Sequence, residues 1–254
     1  MVLLAGVPLF VGSEQTDQYF AWTIRPPLTA AVLGALYWSA VPFVFLSARE
    51  REWANARLAV PGVLVFTTLG LIATVLHADR FHFTSTVFVA RAVAWAWLAI
   101  YVLVPPITAI LLVSQLRRAR GDPARSRPLP RLFTYIVAAQ GAVMLLAGAT
   151  LFLAPEAAAA RWPWDLTPLT ARALGAWLVG LGVTAAQAAW EGDRARIRVG
   201  LVTYAVAGTL VFVALARYGD QMRAPSIGAF AFVLFVASVL AVSLIGLAGF
   251  RRHG

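Results

Sequence analysis

Ile227 to Phe250 reads IGAFAFVLFVASVLAVSLIGLAGF, an unbroken run without one charged side chain. Wound as an α-helix at about 1.5 Å per residue, it is longer than the roughly 30 Å hydrocarbon core of a bilayer is thick. Similar runs extend back along the chain: Val199 to Arg217, Pro168 to Trp190, Leu132 to Ala154, Val87 to Leu116, Leu58 to His77 and Pro27 to Leu46. Met1 to Gly12 is an eighth and shorter run. The composition agrees, since 61% of the 254 residues are hydrophobic, only 13% are charged and the mean hydropathy is +0.78. Such a chain satisfies its backbone in lipid by folding into helices. The expected fold is therefore all-α and integral to the membrane, with eight transmembrane helices.

Charge divides by loop. On one side of the expected topology stand Arg49, Arg51, Arg57, Arg117, Arg118, Arg120, Arg125, Arg127, Arg131, Arg194, Arg196, Arg198, Arg251 and Arg252. The alternate loops hold only Arg25, Arg80, Arg161, Arg217 and Arg223, and Arg91 and Arg172 lie within spans. The excess of arginine on one side predicts that both termini and the 117–131 linker are cytoplasmic. The net charge of +10 is thus a property of topology and does not point to nucleic acid. All 21 basic residues are arginine and there is no cysteine. Schiff-base lysines, disulfides, thiol catalysis and Fe–S ligation are excluded.

The chain also repeats itself. Leu3-Leu4-Ala5-Gly6, Leu9-Phe10, Glu14 and Trp22 recur 142 residues on as Leu145-Leu146-Ala147-Gly148, Leu151-Phe152, Glu156 and Trp164. After one residue of slippage, Pro27-Leu28-Thr29-Ala30 with Leu33-Gly34-Ala35 recurs as Pro168-Leu169-Thr170-Ala171 with Leu174-Gly175-Ala176. Residues 1–116 and 132–254 then form two four-helix repeats joined by the linker 117–131. An even number of spans per unit makes the repeats parallel, related by an axis along the membrane normal. Met1 aligns with Val143, so the first helix lacks the counterpart of Leu132 to Ala142; the expectation is that its start lies upstream. The small pairs Ala30/Gly34 and Ala171/Gly175 permit close helix approach and are expected to join the two repeats.

The segment Trp164-Asp165-Leu166-Thr167-Pro168-Leu169-Thr170-Ala171-Arg172-Ala173-Leu174-Gly175-Ala176-Trp177 is similar to one found in uncharacterised bacterial polytopic membrane proteins. The resemblance implies a bacterial cytoplasmic (inner) membrane protein and adds no activity.

Few residues carry chemistry. His77, Asp79 and His82 cluster at the end of the third run, but a spacing of five does not bring both imidazoles to one helix face for a metal or haem. A hydrogen-bonded helix-end anchor is the plainer reading. Arg91 and Arg172 each lie about a turn inside a span, where a guanidinium wants an anion, a lipid head group or an outer-loop carboxylate. Together they predict one outer electropositive pocket. Trp95 and Trp97 could stack a quinone or carotenoid, or simply pack. Pro105-Pro106 is expected to sit near the inner surface and turn the extension of an overlong span. No cofactor is required; haem or carotenoid would announce itself in an optical spectrum.

Three functions follow in order. The first is a non-catalytic scaffold or accessory subunit, bound to lipid and to other membrane subunits or a second copy, holding a lipid, quinone or pigment between its repeats. The second is a channel or facilitator for a neutral or anionic solute entering past Arg91 and Arg172. The third is a lipid-modifying enzyme at the outer face acting through His77, Asp79 and His82. No nucleophile elbow, HExxH or aspartate pair supports catalysis.

Overall fold

The computed structural model describes residues 2–118, 124–125, 127–223 and 226–251. Part of the 117–131 linker, together with Arg252 and His253, lies outside the described residues. The described chain is helical throughout, in the order α1 (Val2–Gly6), a π-turn (Val7–Val11), α2 (Thr16–Tyr19), α3 (Pro27–Arg49), α4 (Trp53–Ala56), α5 (Ala59–Leu76) and α6 (Phe88–Arg118), followed by α7 (Arg131–Leu153), α8 (Pro155–Arg161), α9 (Pro168–Glu191), α10 (Arg194–Tyr218) and α11 (Ile227–Arg251). Among these residues seven helices, α3, α5, α6, α7, α9, α10 and α11, are long and apolar enough to cross a membrane. The chain is a multi-pass membrane protein by that measure. Met1 to Gly12 supplies only the five residues of α1 and the five of the π-turn.

Local chemistry sets the helix ends. Pro27 and Pro168 open α3 and α9, where a missing N–H costs nothing. Thr167 and Thr170 form a reciprocal capping box on α9. Gly192 ends α9 with φ 57°, a left-handed turn that suits glycine, and Asp193 then caps α10 by accepting from the Ala195 and Arg196 amides. The linker is docked on this turn: the Arg127 amide donates to Asp193 Oδ2 at 2.9 Å, and the Leu129 amide to the Gly192 carbonyl at 2.9 Å. Pro105 and Pro106 do not turn a helix end. They lie inside α6, which continues past them to Arg118; nearby, the Thr108 hydroxyl donates to the Val104 and Pro105 carbonyls.

The major helix pairings come in matched sets. α3 packs on α10 as α9 packs on α5; α5 packs on α6 as α10 packs on α11; and α1 with the π-turn packs on α3 as α7 packs on α9. Residues 141 or 142 apart make corresponding contacts. A side chain on Gly34 would strike the backbone at Leu9 and Phe10, and one on Gly175 would strike Gly148, Leu151 and Phe152. Gly6 faces Trp38 and Gly148 faces Val179. The His82 amide donates to the Ala21 carbonyl and the Arg223 amide to the Pro163 carbonyl, each at 2.8 Å. Gly34 and Gly175 therefore pack against the neighbouring segment of their own half, not across halves as expected. Their partners are the π-turn for α3 and α7 for α9. Close approach between halves falls instead to Gly62 on α5 and Gly180 on α9.

α6 and α11 are peripheral and largely exposed, whereas α3, α9 and α10 form the interior. The main core cluster runs through Leu28, Leu33, Tyr101, Trp164, Leu151 and Ile197, with two small clusters beside it around Phe43 and Phe152.

Candidate functional site

The helices present polar chemistry at their two ends and an apolar cavity between. At the arginine-rich end, Glu191 is fully buried and grips two guanidinium groups. Arg57 Nε donates to Oε1 at 2.5 Å and Nη2 to Oε2 at 2.9 Å, while Arg196 Nη1 donates to Oε2 at 2.7 Å. This ties the start of α5 to the end of α9 and the start of α10. In sequence Glu191 reads as a loop acid; Arg57 lies 134 residues away, and no local pattern connects them.

At the opposite end the expected site residues separate. Arg172 donates through Nη1 to His77 Nε2 at 2.6 Å, which requires that nitrogen of the imidazole to be unprotonated. Burial, reinforced by the Arg172 charge, holds the His77 pKa below its usual value. Arg172 thus meets a neutral imidazole, not the carboxylate or anion its position suggested. Arg91 is exposed and donates to the Ser85 carbonyl at 3.3 Å. His82 serves another purpose: Nδ1 meets the Phe20 carbonyl at 2.9 Å and Nε2 meets Thr23 Oγ1 at 3.1 Å. Those contacts pin the loop before α3 to the loop after α5. Asp79 pairs with the adjacent Arg80 at 3.0 Å, both well exposed. Among the described residues no three His, Asp or Glu side chains converge as a metal site. A cavity of about 510 Å³ does open here, bordered by His77, Asp79, Arg80, Thr23 and Thr167. Neither Arg91 nor Arg172 borders it.

Trp95 and Trp97 also part company. Trp95 is exposed on α6 and donates to the Phe83 carbonyl at 3.3 Å. Trp97 is buried, stacks on Tyr101 at 4.3 Å between centroids and donates to Thr74 Oγ1 at 3.0 Å. It belongs to an aromatic column with Trp22, Phe81, Tyr37, Phe66 and Trp177.

Next to that column lies a cavity of about 190 Å³, enclosed by α3, α5, α6, α9 and α10. Its lining is apolar apart from Tyr37, Tyr101, Trp177 and the hydroxyls of Ser39, Thr67, Thr184 and Thr203. Four lining pairs stand 141 residues apart: Ser39 with Gly180, Ala40 with Leu181, Phe43 with Thr184 and Gly62 with Thr203. Val44, one of its lining residues, is 51% exposed. Tyr37 and Tyr101 share a hydroxyl–hydroxyl bond of 2.5 Å across α3 and α6. Sequence reading missed this place because its lining comes from five helices, each contributing residues that look like ordinary packing.

Comparison with protein-family models, with curated proteins and with solved structures finds no match to the chain.

Proposed function

We propose that the chain is a non-catalytic protein of the bacterial cytoplasmic membrane, built from two parallel four-helix repeats whose first helix is short. It acts as a scaffold or accessory subunit of a membrane complex and holds a lipid, quinone or pigment between the repeats. Both termini and the linker face the cytoplasm, following the arginine distribution. The matched helix pairings and the corresponding contacts of Gly34 and Gly175 support the repeat layout.

The observation that carries the function is the apolar cavity bounded by four pairs of residues 141 apart. Binding sites of membrane proteins built from internal repeats lie at the repeat interface near mid-membrane. The lining carries no charged group with which to coordinate an ion or move a proton. Protein purified from its native membrane should contain an apolar molecule in stoichiometric amount, identified by solvent extraction, mass spectrometry and optical spectroscopy. Ala40→Phe, which adds bulk to the cavity lining, should empty it. A protein that carries no such molecule, before or after this change, would remove the reading.

One observation favours the facilitator as a second reading: the polar cavity beside His77 and Asp79 faces the end opposite the arginines. Solute flux in proteoliposomes that depends on His77 and Arg172 would support it.

A further inference from the structure

The two acids at the α9–α10 turn are engaged inward. Glu191 is fully buried between Arg57 and Arg196, and the buried Asp193 accepts from the Ala195 and Arg196 amides through Oδ1 and from the Arg127 amide through Oδ2. The Arg194 amide donates to the Arg127 carbonyl at 2.8 Å and the Leu129 amide to the Gly192 carbonyl at 2.9 Å, so the backbone of this part of the linker is pinned to the turn. Its side chains point charge outward. Arg125, Arg127 and Arg131 are exposed, and none of them pairs with a carboxylate among the described residues. α7 opens on Arg131 with no acidic side chain in its first turn.

Apolar surface adjoins these arginines. Gly141 against Gly182, and Gly148 against Gly175, set α7 antiparallel to α9 in a register that brings Arg131 level with Gly192. Leu132 and Tyr135, at the start of α7, are 71% and 68% exposed on a helix long and apolar enough to cross a membrane. Trp190, in the last turn of α9, is 66% exposed and carries the Arg125 guanidinium over its ring at 5.6 Å. Exposed tryptophan and tyrosine at the ends of spans mark the boundary between hydrocarbon and head groups. Guanidinium groups at that depth face phosphates.

The juxtaposition selects a molecule that is anionic at one end and apolar at the other. A phosphodiester accepts two parallel hydrogen bonds from a guanidinium fork, and every basic residue of this chain is arginine. A zwitterionic head group carries its own ammonium, which cancels much of the attraction, whereas a head group of net negative charge gains from each arginine. A free phosphate gains nothing from Leu132, Tyr135 and Trp190.

We propose that Arg125, Arg127 and Arg131, beside Trp190 and the exposed start of α7, bind the head-group phosphate of an anionic phospholipid whose acyl chains lie along Leu132 and Tyr135. This surface is separate from the interior cavity and does not depend on what that cavity holds.

The test uses the whole chain in an uncharged detergent, stripped of lipid and offered phosphatidylglycerol or phosphatidylcholine with identical acyl chains. Native mass spectrometry counts the lipids retained, and titration gives their affinities. Phosphatidylglycerol should bind at least about tenfold more tightly, with a preference that falls as salt is raised. Arg125→Gln/Arg127→Gln/Arg131→Gln should erase that preference, each single change costing about two- to fivefold. Since these side chains make no ion pair among the described residues, the triple variant should keep its unfolding temperature in lipid-free detergent. Arg25→Gln/Arg161→Gln, exposed arginines at the opposite end, should leave the preference within about twofold. Equal affinity for the two lipids on the unaltered chain overturns the proposal, whether or not any variant folds. An equal loss from the Arg25 and Arg161 changes also overturns it, because net charge would then account for the effect. Glycerol phosphate without acyl chains that displaces phosphatidylglycerol at comparable concentration overturns it in favour of a site for soluble anions.

Discussion

Gly34 and Gly175 stand where two backbones touch, and a single added carbon decides whether they still can. A Cβ on Gly175 would lie 2.7 Å from the Gly148 carbonyl oxygen, and one on Gly34 would lie 2.5 Å from the Phe10 amide nitrogen. Backbone cannot step aside as a side chain does, so Gly34→Leu and Gly175→Leu should each destabilise by about 1–3 kcal/mol or more, read as a lower Tm in detergent. His77 makes a pH-dependent counterpart. Its pKa is held below the ordinary value by burial and by Arg172, so the folded chain takes up that proton less readily than the unfolded chain. The contribution is full above the unfolded value of about 6.5 and is lost as pH falls through it toward the lower folded value. Protonation also turns Nε2 into a donor facing the Arg172 guanidinium. Thermal unfolding followed from neutral to acid pH should show a loss of Tm that is smaller in His77→Gln. An unchanged acid slope would dismiss this imidazole as its source.

Helices meet at the arginine-rich end through one carboxylate. Glu191 closes α9 and joins it to the segment entering α5 and to the first turn of α10, so its removal strands two guanidinium groups among buried neighbours. Glu191→Ala should cost about 3–5 kcal/mol, with Glu191→Gln intermediate, measured by unfolding in detergent. A loss below about 1 kcal/mol would reduce the cluster to an ordinary surface pair. Individual helices were easy to read because an apolar run of sufficient length has one solution in lipid, and the runs from Pro27 and Pro168 begin where α3 and α9 begin. Their pairings were not. Glu191 with Arg57, and Arg172 with His77, join residues 134 and 95 positions apart, and nothing periodic in a single sequence links them. Pro105-Pro106 misled because proline in a helix interior commonly ends or kinks it, whereas α6 continues through both. The cavity was invisible since it is a property of five helices at once, although its tyrosines and tryptophan were legible as aromatic bulk.

At the scale of the whole molecule, residues 141 or 142 apart make several matching contacts, and others that differ. Trp164 Nε1 donates to Thr29 Oγ1 at 2.9 Å, while Nε1 of Trp22, 142 residues earlier, has no hydrogen-bond partner among the described residues. Leu178 and Val242 stand 141 residues after Tyr37 and Tyr101, so the Tyr37–Tyr101 hydroxyl bond has no counterpart there. Orientation follows from charge at the same scale. The groups around Glu191, Arg57, Arg196 and the docked linker gather at one end, with Arg125 over the Trp190 ring at 5.6 Å, and the His77–Arg172 contact lies at the other. Arginine is retained on the side where synthesis occurs, so the first end should be cytoplasmic. The absence of cysteine makes the test clean, because any introduced thiol is unique. Thr86→Cys lies in the exposed loop before α6 and should react with a membrane-impermeant maleimide added to intact cells. Ser126→Cys in the linker should react only after the membrane is opened. The reverse pattern would invert the protein in the membrane and turn the polar cavity beside His77 toward the cytoplasm.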